Sequence, residues 1–366
     1  MDTNKIYILN FPSLETGGGD AVCAKKLVNQ IKNLFAITFT NPNHVPLHPK
    51  EINLQAKTHY NEILWITPKK MTIFIKTIRS ANVFHLNAFN FSDIIIAIFL
   101  KVLHKRIIFQ MHGNIYFRFK SVTRLLENLR LIFVDNALVV LADRIVFITE
   151  AQGKQFQKYC FFPRNLAHKS RVIYNAIEPE VILSNKSDSP GTFKVIYVGR
   201  LEETKGSYDL LHLAGNIGDS GIHFMVVGSG KNFHYPDQQL SNVTFVGAVP
   251  NERIMSYYDQ AQIFLLPSYT EVFPIVVLEA MARGLVILAS DLPCLREYLR
   301  EGINGFFFPA GDVEKMKQLI FHIRDNPDLR QEISVNNLRD VRRFTVARQA
   351  EQFRKLYGEL LLKEKG

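Results

Sequence analysis

At 366 residues and 42.0 kDa the chain is long enough for two domains of ordinary size, and 47% hydrophobic against 21% charged residues excludes a disordered, collagenous or coiled-coil protein. The net charge of +10 is carried wholly by residues 1–172, with 23 basic and 10 acidic side chains against 21 and 24 in residues 173–366. An excess confined to one half points to an anionic partner met by that half: nucleic acid, a phosphorylated substrate or an anionic membrane surface.

Along the chain, Lys5–Asn10 (KIYILN) reads as a first strand, followed by the glycine-rich turn Gly17–Gly18–Gly19–Asp20 and a helix over 20–33. Residues 69–79 (KKMTIFIKTIR) interleave basic and large apolar side chains, and 101–130 add Lys105, Arg106, Arg118, Lys120, Arg124 and Arg130. At helical spacing this suits either a helix lying on anionic headgroups or an ordinary amphipathic helix with a solvated basic face. No recognition motif accompanies the charge, so no nucleic-acid partner is expected. Strands over 82–86, 106–110 and 144–149 follow, each leading into polar residues and a helical pattern, the order of a parallel, doubly wound sheet. The most apolar run, 94–100, stops at Lys101, far short of the ~20 residues that span a bilayer. The first residues show no basic stretch ahead of a long apolar run, so no secretory signal is expected. Cys23, Cys160 and Cys294 are spaced too widely for a zinc site or a disulfide framework, which fits a cytoplasmic protein.

After 171–176 (RVIYNA) and a polar stretch, 178–191, the same grammar repeats. Strands are expected over 193–198, 223–227, 243–246, 263–266, 285–289 and 305–308, with helices over 207–214, 251–261 and 275–283 between them. A charged amphipathic helix, 346–365, closes the chain. The expected fold class is α/β: two tandem doubly wound parallel-sheet, Rossmann-like domains facing a cleft. Residues 1–172 form the first and 173–345 the second, with the helix at 346–366 packing back on the first. In such sheets ligands bind where strands end and helices begin, and the cleft is the default site.

Three groups of residues carry chemistry there. Gly17–Gly18–Gly19–Asp20 can let a backbone approach a phosphate at a helix start, or serve as a plain strand-to-helix turn; it matches neither GxGxxG nor the GxxxxGK[ST] loop. In VGRLEETKG, Arg200 and Lys205 leave a buried strand five residues apart. They can converge on one anionic group such as a leaving diphosphate, or pair with Glu202 and Glu203 in a solvated loop. Glu271 follows the strand IFLLP, and Glu279 lies eight residues on in a helix whose start Pro274 delays. Carboxylates at a strand exit can accept hydrogen bonds from sugar hydroxyls, and the apolar surroundings make an unpartnered charge costly.

PSYTEVFPIVVLEAMARG resembles the E-x7-E region of the GT-B glycosyltransferases of family 4, which are retaining and nucleotide-sugar-dependent. VGRLEETKG is similar to that family's donor-diphosphate loop, VIYNAIEPE to its interdomain linker, and GAVPNERIMSYYDQAQIFLLPS to the segment bracketing the nucleotide base. The first half resembles it in the triple glycine, in Gln110–Met111–His112–Gly113 and in Thr149–Glu150. The resemblance implies Arg200 and Lys205 on the donor diphosphate, Glu271 on the sugar hydroxyls and Glu279 on the ribose. It implies His112 beside the sugar's reacting carbon, and Gly18, Gly19, Asn175, Gly199, Gly228, Val246 and Pro274 around the donor. His85 ends another strand of the first domain, where an acceptor could bind. The chain departs from the family pattern at Val272, at Leu285–Val286 and at Pro293–Cys294, which stands where a glycine pair is usual.

The function so implied is hexosyl transfer, with retention, from a nucleotide-diphosphate sugar to a hydroxyl of a glycan or lipid-linked glycan, in surface polysaccharide assembly of bacterial type. The leaving phosphate takes the acceptor's proton. No cofactor and no metal are expected, the two cations standing in for an ion. A peripheral contact between the basic first half and an anionic membrane is the further expectation. A nucleotide-sugar 2-epimerase of the same architecture and a non-catalytic nucleotide-sugar-binding subunit are the alternatives.

Overall fold

Short runs of β-branched and aromatic residues, each closed by a polar residue or glycine, form twelve parallel strands in the computed structural model, which describes residues 5–10, 36–40, 81–87, 91–112, 122–183, 191–230, 233–234 and 240–362. The chain divides into two units, Met1–Asn175 with Val346–Gly366, and Ala176–Thr345.

In the first unit the strands are β1 (Lys5–Asn10), β2 (Ala36–Thr40), β3 (Val83–Asn87), β4 (Arg106–Gln110), β5 (Arg144–Phe147) and β6 (Ser170–Val172). Their order is β2-β1-β3-β4-β5-β6, with every pairing parallel. Described helices are α1 (Phe91–Val102), α2 (Val122–Leu141), α3 (Glu150–Gln157) and α4 (Pro163–Lys169). Strand alternation gives the sheet two apolar faces. Phe84, Phe109 and Phe147 point to one face, where Ala97 and Leu100 of α1 and Leu138 of α2 cover them. Their neighbours Val83, Ile108 and Val146 point to the other, where Phe353, Leu356 and Leu360 of the last helix, α10 (Val346–Leu362), pack.

Three sequence expectations need correction here. The strand expected over 144–149 stops at Phe147, because the Thr149 hydroxyl leaves the ladder to cap α3, accepting from the Gln152 backbone N–H at 3.1 Å. The linker expected over 172–180 loses its first residue to the sheet, since Ser170–Val172 pairs with β5 at the edge. No single basic helix spans 101–130: Lys101 ends α1, Arg106 opens β4, and both grip Asp143, at 2.7 and 3.3 Å. The triple glycine, the helix over 20–33, Gly113 and residues 69–79 lie outside the described residues.

The second unit runs β7 (Phe193–Val198), α5 (Ser207–Ile217), β8 (Ile222–Val227), β9 (Val243–Gly247), α6 (Asn251–Tyr258), β10 (Ile263–Leu266), α7 (Ile275–Ala282), β11 (Val286–Ser290), β12 (Gly305–Phe308), α8 (Val313–Asp325) and α9 (Pro327–Asp340). The sheet order is β12-β11-β10-β7-β8-β9. Helix α6 is shorter than the expected 251–261, giving way to a turn after Tyr258. From β7 the chain winds outward through β8 and β9, then returns to β10 on the other side of β7. That reversal lies between β7 and β10, so the loops leaving these two strands are neighbours and open a crevice at the carboxyl end of the sheet.

Candidate functional site

The loop leaving β7 is fixed before it presents any charge. Gly199 donates its N–H to Val227 at 3.0 Å, and Leu201 to Ser229 at 3.1 Å, so the exits of β7 and β8 run backbone against backbone. A Cβ at Gly228 would overlap the Gly199 carbonyl oxygen, and φ is +135° there, which leaves glycine as the residue that fits. Behind the loop, the buried Tyr197 hydroxyl donates to the Arg200 carbonyl at 2.7 Å, and Ser207 Oγ accepts from the Glu202 N–H at 3.1 Å. Burial pushes the Tyr197 hydroxyl up from its ordinary range, so it stays a donor.

The same loop docks on the exit of β10. Tyr269 donates its N–H to the Thr204 carbonyl at 3.0 Å, and a Cβ at Gly206 (φ +68°) would overlap the Pro267 carbonyl. With both loops held, Lys205 Nζ meets Glu271 Oε1 at 2.7 Å, and Ser268 Oγ donates to the same oxygen at 2.9 Å. The Glu271 side chain is 11% exposed, so it is an ion paired inside the crevice. Cys294, in the turn before Leu295–Glu297, donates its thiol to the Glu271 carbonyl at 3.4 Å. Burial, helped by the charges of Glu271 and Glu297, pushes that thiol up to about 12, so it remains S–H. A cysteine where the related pattern carries glycine thus steadies the backbone under the acid.

Within the protein, Arg200 and Lys205 pair with different carboxylates. The Arg200 side chain is 74% exposed and pairs with Glu202 at 3.2 Å, as the solvated-loop alternative had it, while Lys205 turns inward to Glu271. Pro274 holds an extended backbone ahead of α7, and Glu279, on that helix, accepts from the Tyr258 hydroxyl at 3.1 Å. Burial and the neighbouring carboxylate drive the Tyr258 hydroxyl well up, so it too remains a donor. Val246 is the extra residue of a bulge in β9, between the pairings Val226 with Phe245 and Val227 with Gly247, and Gly228 donates to the Gly247 carbonyl at 2.8 Å.

Among the expected residues of the first unit, His112 is buried two residues beyond β4, and the preceding Met111 is tied to Val146 at 2.9 Å. His85, buried in β3, brings Nδ1 to 2.8 Å from the Tyr357 hydroxyl of α10 and lies against the Phe353 ring. Burial, and then positive charge on His112, lower its pKa to about 3, so it is neutral. Asn175 is buried at the end of the first unit, and its side-chain oxygen has no hydrogen-bond partner among the described residues. Gly18 and Gly19 lie outside the described residues.

Sequence reasoning passed over Tyr197, Ser207, Tyr258 and Ser268, which orient the loops and acids. Tyr258, within GAVPNERIMSYYDQAQIFLLPS, and Ser268, three residues before Glu271 in PSYTE, lay within motifs already singled out.

Residues 182–339 match the model of the family Glycosyl transferases group 1. An uncharacterized glycosyltransferase of Methanocaldococcus jannaschii is 25% identical over 224 residues, 60% of each chain. The amylovoran biosynthesis glycosyltransferase AmsK of Erwinia amylovora is 28% identical over 172 residues, 43% of this chain and 42% of that one. The matched stretch thus spans between two fifths and three fifths of these relatives. Among solved structures, HepE from Anabaena in complex with UDP-glucose superposes with a TM-score of 0.74 at 17% identity, over 97% of this chain and 99% of that one. That likeness shows the fold, the α/β parallel-sheet architecture of the GT-B glycosyltransferases, and the match to the family model falls within the second unit.

Proposed function

We propose that the protein is a retaining glycosyltransferase of family 4 that moves a hexose from a nucleotide-diphosphate sugar to a hydroxyl of a glycan or lipid-linked glycan. The reading is carried by one observation: a lysine and a half-buried glutamate paired at 2.7 Å at the reversal point of the second sheet, on loops held by glycine contacts. An ion pair in that place can be traded for a substrate. A donor diphosphate takes Lys205 and draws in the exposed Arg200, and Glu271, released from its lysine but still held by Ser268, turns to the sugar hydroxyls. Glu279, held from behind by the buried Tyr258 hydroxyl, takes the ribose.

As the bond between the anomeric carbon and the diphosphate oxygen breaks, negative charge grows on the leaving group. Lys205, presented by a loop that is held beforehand, and Arg200, drawn in by the donor, stabilise that charge where it grows. The acceptor oxygen bonds to the same face of the anomeric carbon and passes its proton to the departing phosphate, so every atom and charge is accounted for without a protein nucleophile or a metal ion. His112 flanks the reacting sugar. HepE binds UDP-glucose and AmsK serves amylovoran biosynthesis, which supports a UDP-sugar donor and a surface polysaccharide as product. A lipid-linked acceptor would place the enzyme at the cytosolic face of a membrane.

A thermal-shift screen of UDP-, GDP- and ADP-sugars, followed by transfer or hydrolysis assays with any sugar that stabilises the protein, tests the reading. It predicts one responding nucleotide class, turnover insensitive to EDTA, and loss of turnover in Glu271→Gln. A wild type that binds a nucleotide sugar but transfers it to no acceptor would refute the transferase assignment.

A further inference from the structure

The first unit wears apolar side chains on its outside. Helix α1 (FSDIIIAIFLKV) is hydrophobic nearly all round: Ile94, Ala97 and Leu100 are buried against the sheet, while Ile95, Ile98, Phe99 and Val102 are exposed, Val102 by 68%. A surface helix of a soluble domain turns polar residues to water, so a second apolar stripe at i, i+3, i+4 and i+7 calls for something to cover it. Helix α2 packs beside α1 and itself exposes Phe133 and Val140. Asn136 of α2 then pins the next turn, donating to the Tyr159 carbonyl at 3.1 Å and accepting from the Phe161 N–H at 2.6 Å, which leaves Phe161 65% exposed and Phe162 beside it.

Among the described side chains, those flanking the two phenylalanines of this face are positive. Lys158 and Arg164 flank the two phenylalanines and are exposed. Among the described side chains of residues 91–172 the carboxylates are few: Asp135 is buried, Asp143 is spent on Lys101 and Arg106, and Glu150 alone is exposed, facing Lys154 at 3.6 Å. We propose that this face of the first unit docks on an anionic lipid bilayer, its apolar side chains entering the headgroup boundary while Lys158 and Arg164 meet lipid phosphates. Apolar side chains ringed by cations are the chemistry of an interfacial surface. A second copy of the same face would instead bring two strongly positive units together. The proposal deepens the reading of a lipid-linked acceptor and rests on it for its use, but its measurement requires no transfer.

Flotation of the full chain with phosphatidylglycerol–phosphatidylcholine vesicles, and with phosphatidylcholine alone, is the test. Binding is expected to the anionic vesicles, weakening with salt. The triple variant Ile98→Gln, Val102→Gln, Phe133→Gln should lose about tenfold or more in partitioning, and Lys158→Glu with Arg164→Glu about fivefold for each cation removed. All five positions are exposed, so thermal midpoints and nucleotide-sugar binding should be unchanged. A wild type that stays in the aqueous phase at low salt, or variants that float as it does, overturns the proposal. So does a wild-type dimer that the apolar variants dissociate, since the face would then belong to a second copy. Vesicle binding without any nucleotide-sugar binding would uphold the docking face and sink the transferase reading instead.

Discussion

In the second unit the loops leaving β7 and β10 hold an ammonium and a carboxylate 2.7 Å apart, within reach of solvent. In the first unit His85 in the middle of β3 and His112 just beyond β4 are buried, and His85 is neutral against a tyrosine hydroxyl. The sheets are built alike, yet one unit keeps its ions at the strand ends and the other keeps its positive excess elsewhere on the chain. A paired ion on a fixed loop can exchange its partner for a phosphate at small cost, because both charged forms are already paid for in desolvation. The buried, neutral His85 imidazole has no such charge to exchange.

The strongest way to break this contrast is to remove the ammonium. Lys205→Ala should lower kcat/KM for transfer by about 10²–10³-fold, measured as nucleotide release with acceptor present; a change within threefold would put the chemistry elsewhere. Next comes the loop that presents it. Gly206→Ala, strained at φ +68° and overlapping the Pro267 carbonyl, should destabilise the second unit by about 3 kcal/mol, read by chemical denaturation. The first unit is probed by acid. The His85 pKa falls from its ordinary 6.5 to about 3 on folding, so unfolding takes up a proton between those values, and stability present above pH 6.5 is lost as the pH drops toward 3. The slope should reach about 1.4 kcal/mol per pH unit and flatten in His85→Leu; an unaltered slope would mean that another group titrates. Smallest is Arg200→Ala, expected to cost about tenfold in turnover while shifting stability by less than about 0.5 kcal/mol, since its exposed pair with Glu202 stabilises little.

Much of the second unit was legible because its strands are buried on both faces. FKVIYV and IFLL read as continuous apolar runs, and each is followed at once by the residues that act. The E-x7-E spacing and VGRLEETKG named Glu271, Glu279, Arg200 and Lys205 without any structure. What the spacing could not tell is which way each cation turns. That depends on Gly206 against Pro267 and on Tyr269 against Thr204, contacts between loops more than sixty residues apart. In the first unit the basic and apolar residues over 101–130 suggested helical spacing beside the strand expected over 106–110, and a helix end, that strand and part of a second helix share the stretch, with Lys101 and Arg106 tied at Asp143. The three-residue β6 and the Thr149 cap were too local to read from a hydrophobic pattern.

Calorimetric titration of the nucleotide sugar selected by thermal shift, into wild type and into Lys205→Ala, tests the central assignment most directly. Saturable binding to the wild type, weakened at least about tenfold in the variant with its fold intact, is the predicted result. Equal affinity in both proteins would contradict a donor diphosphate at the Lys205–Glu271 pair.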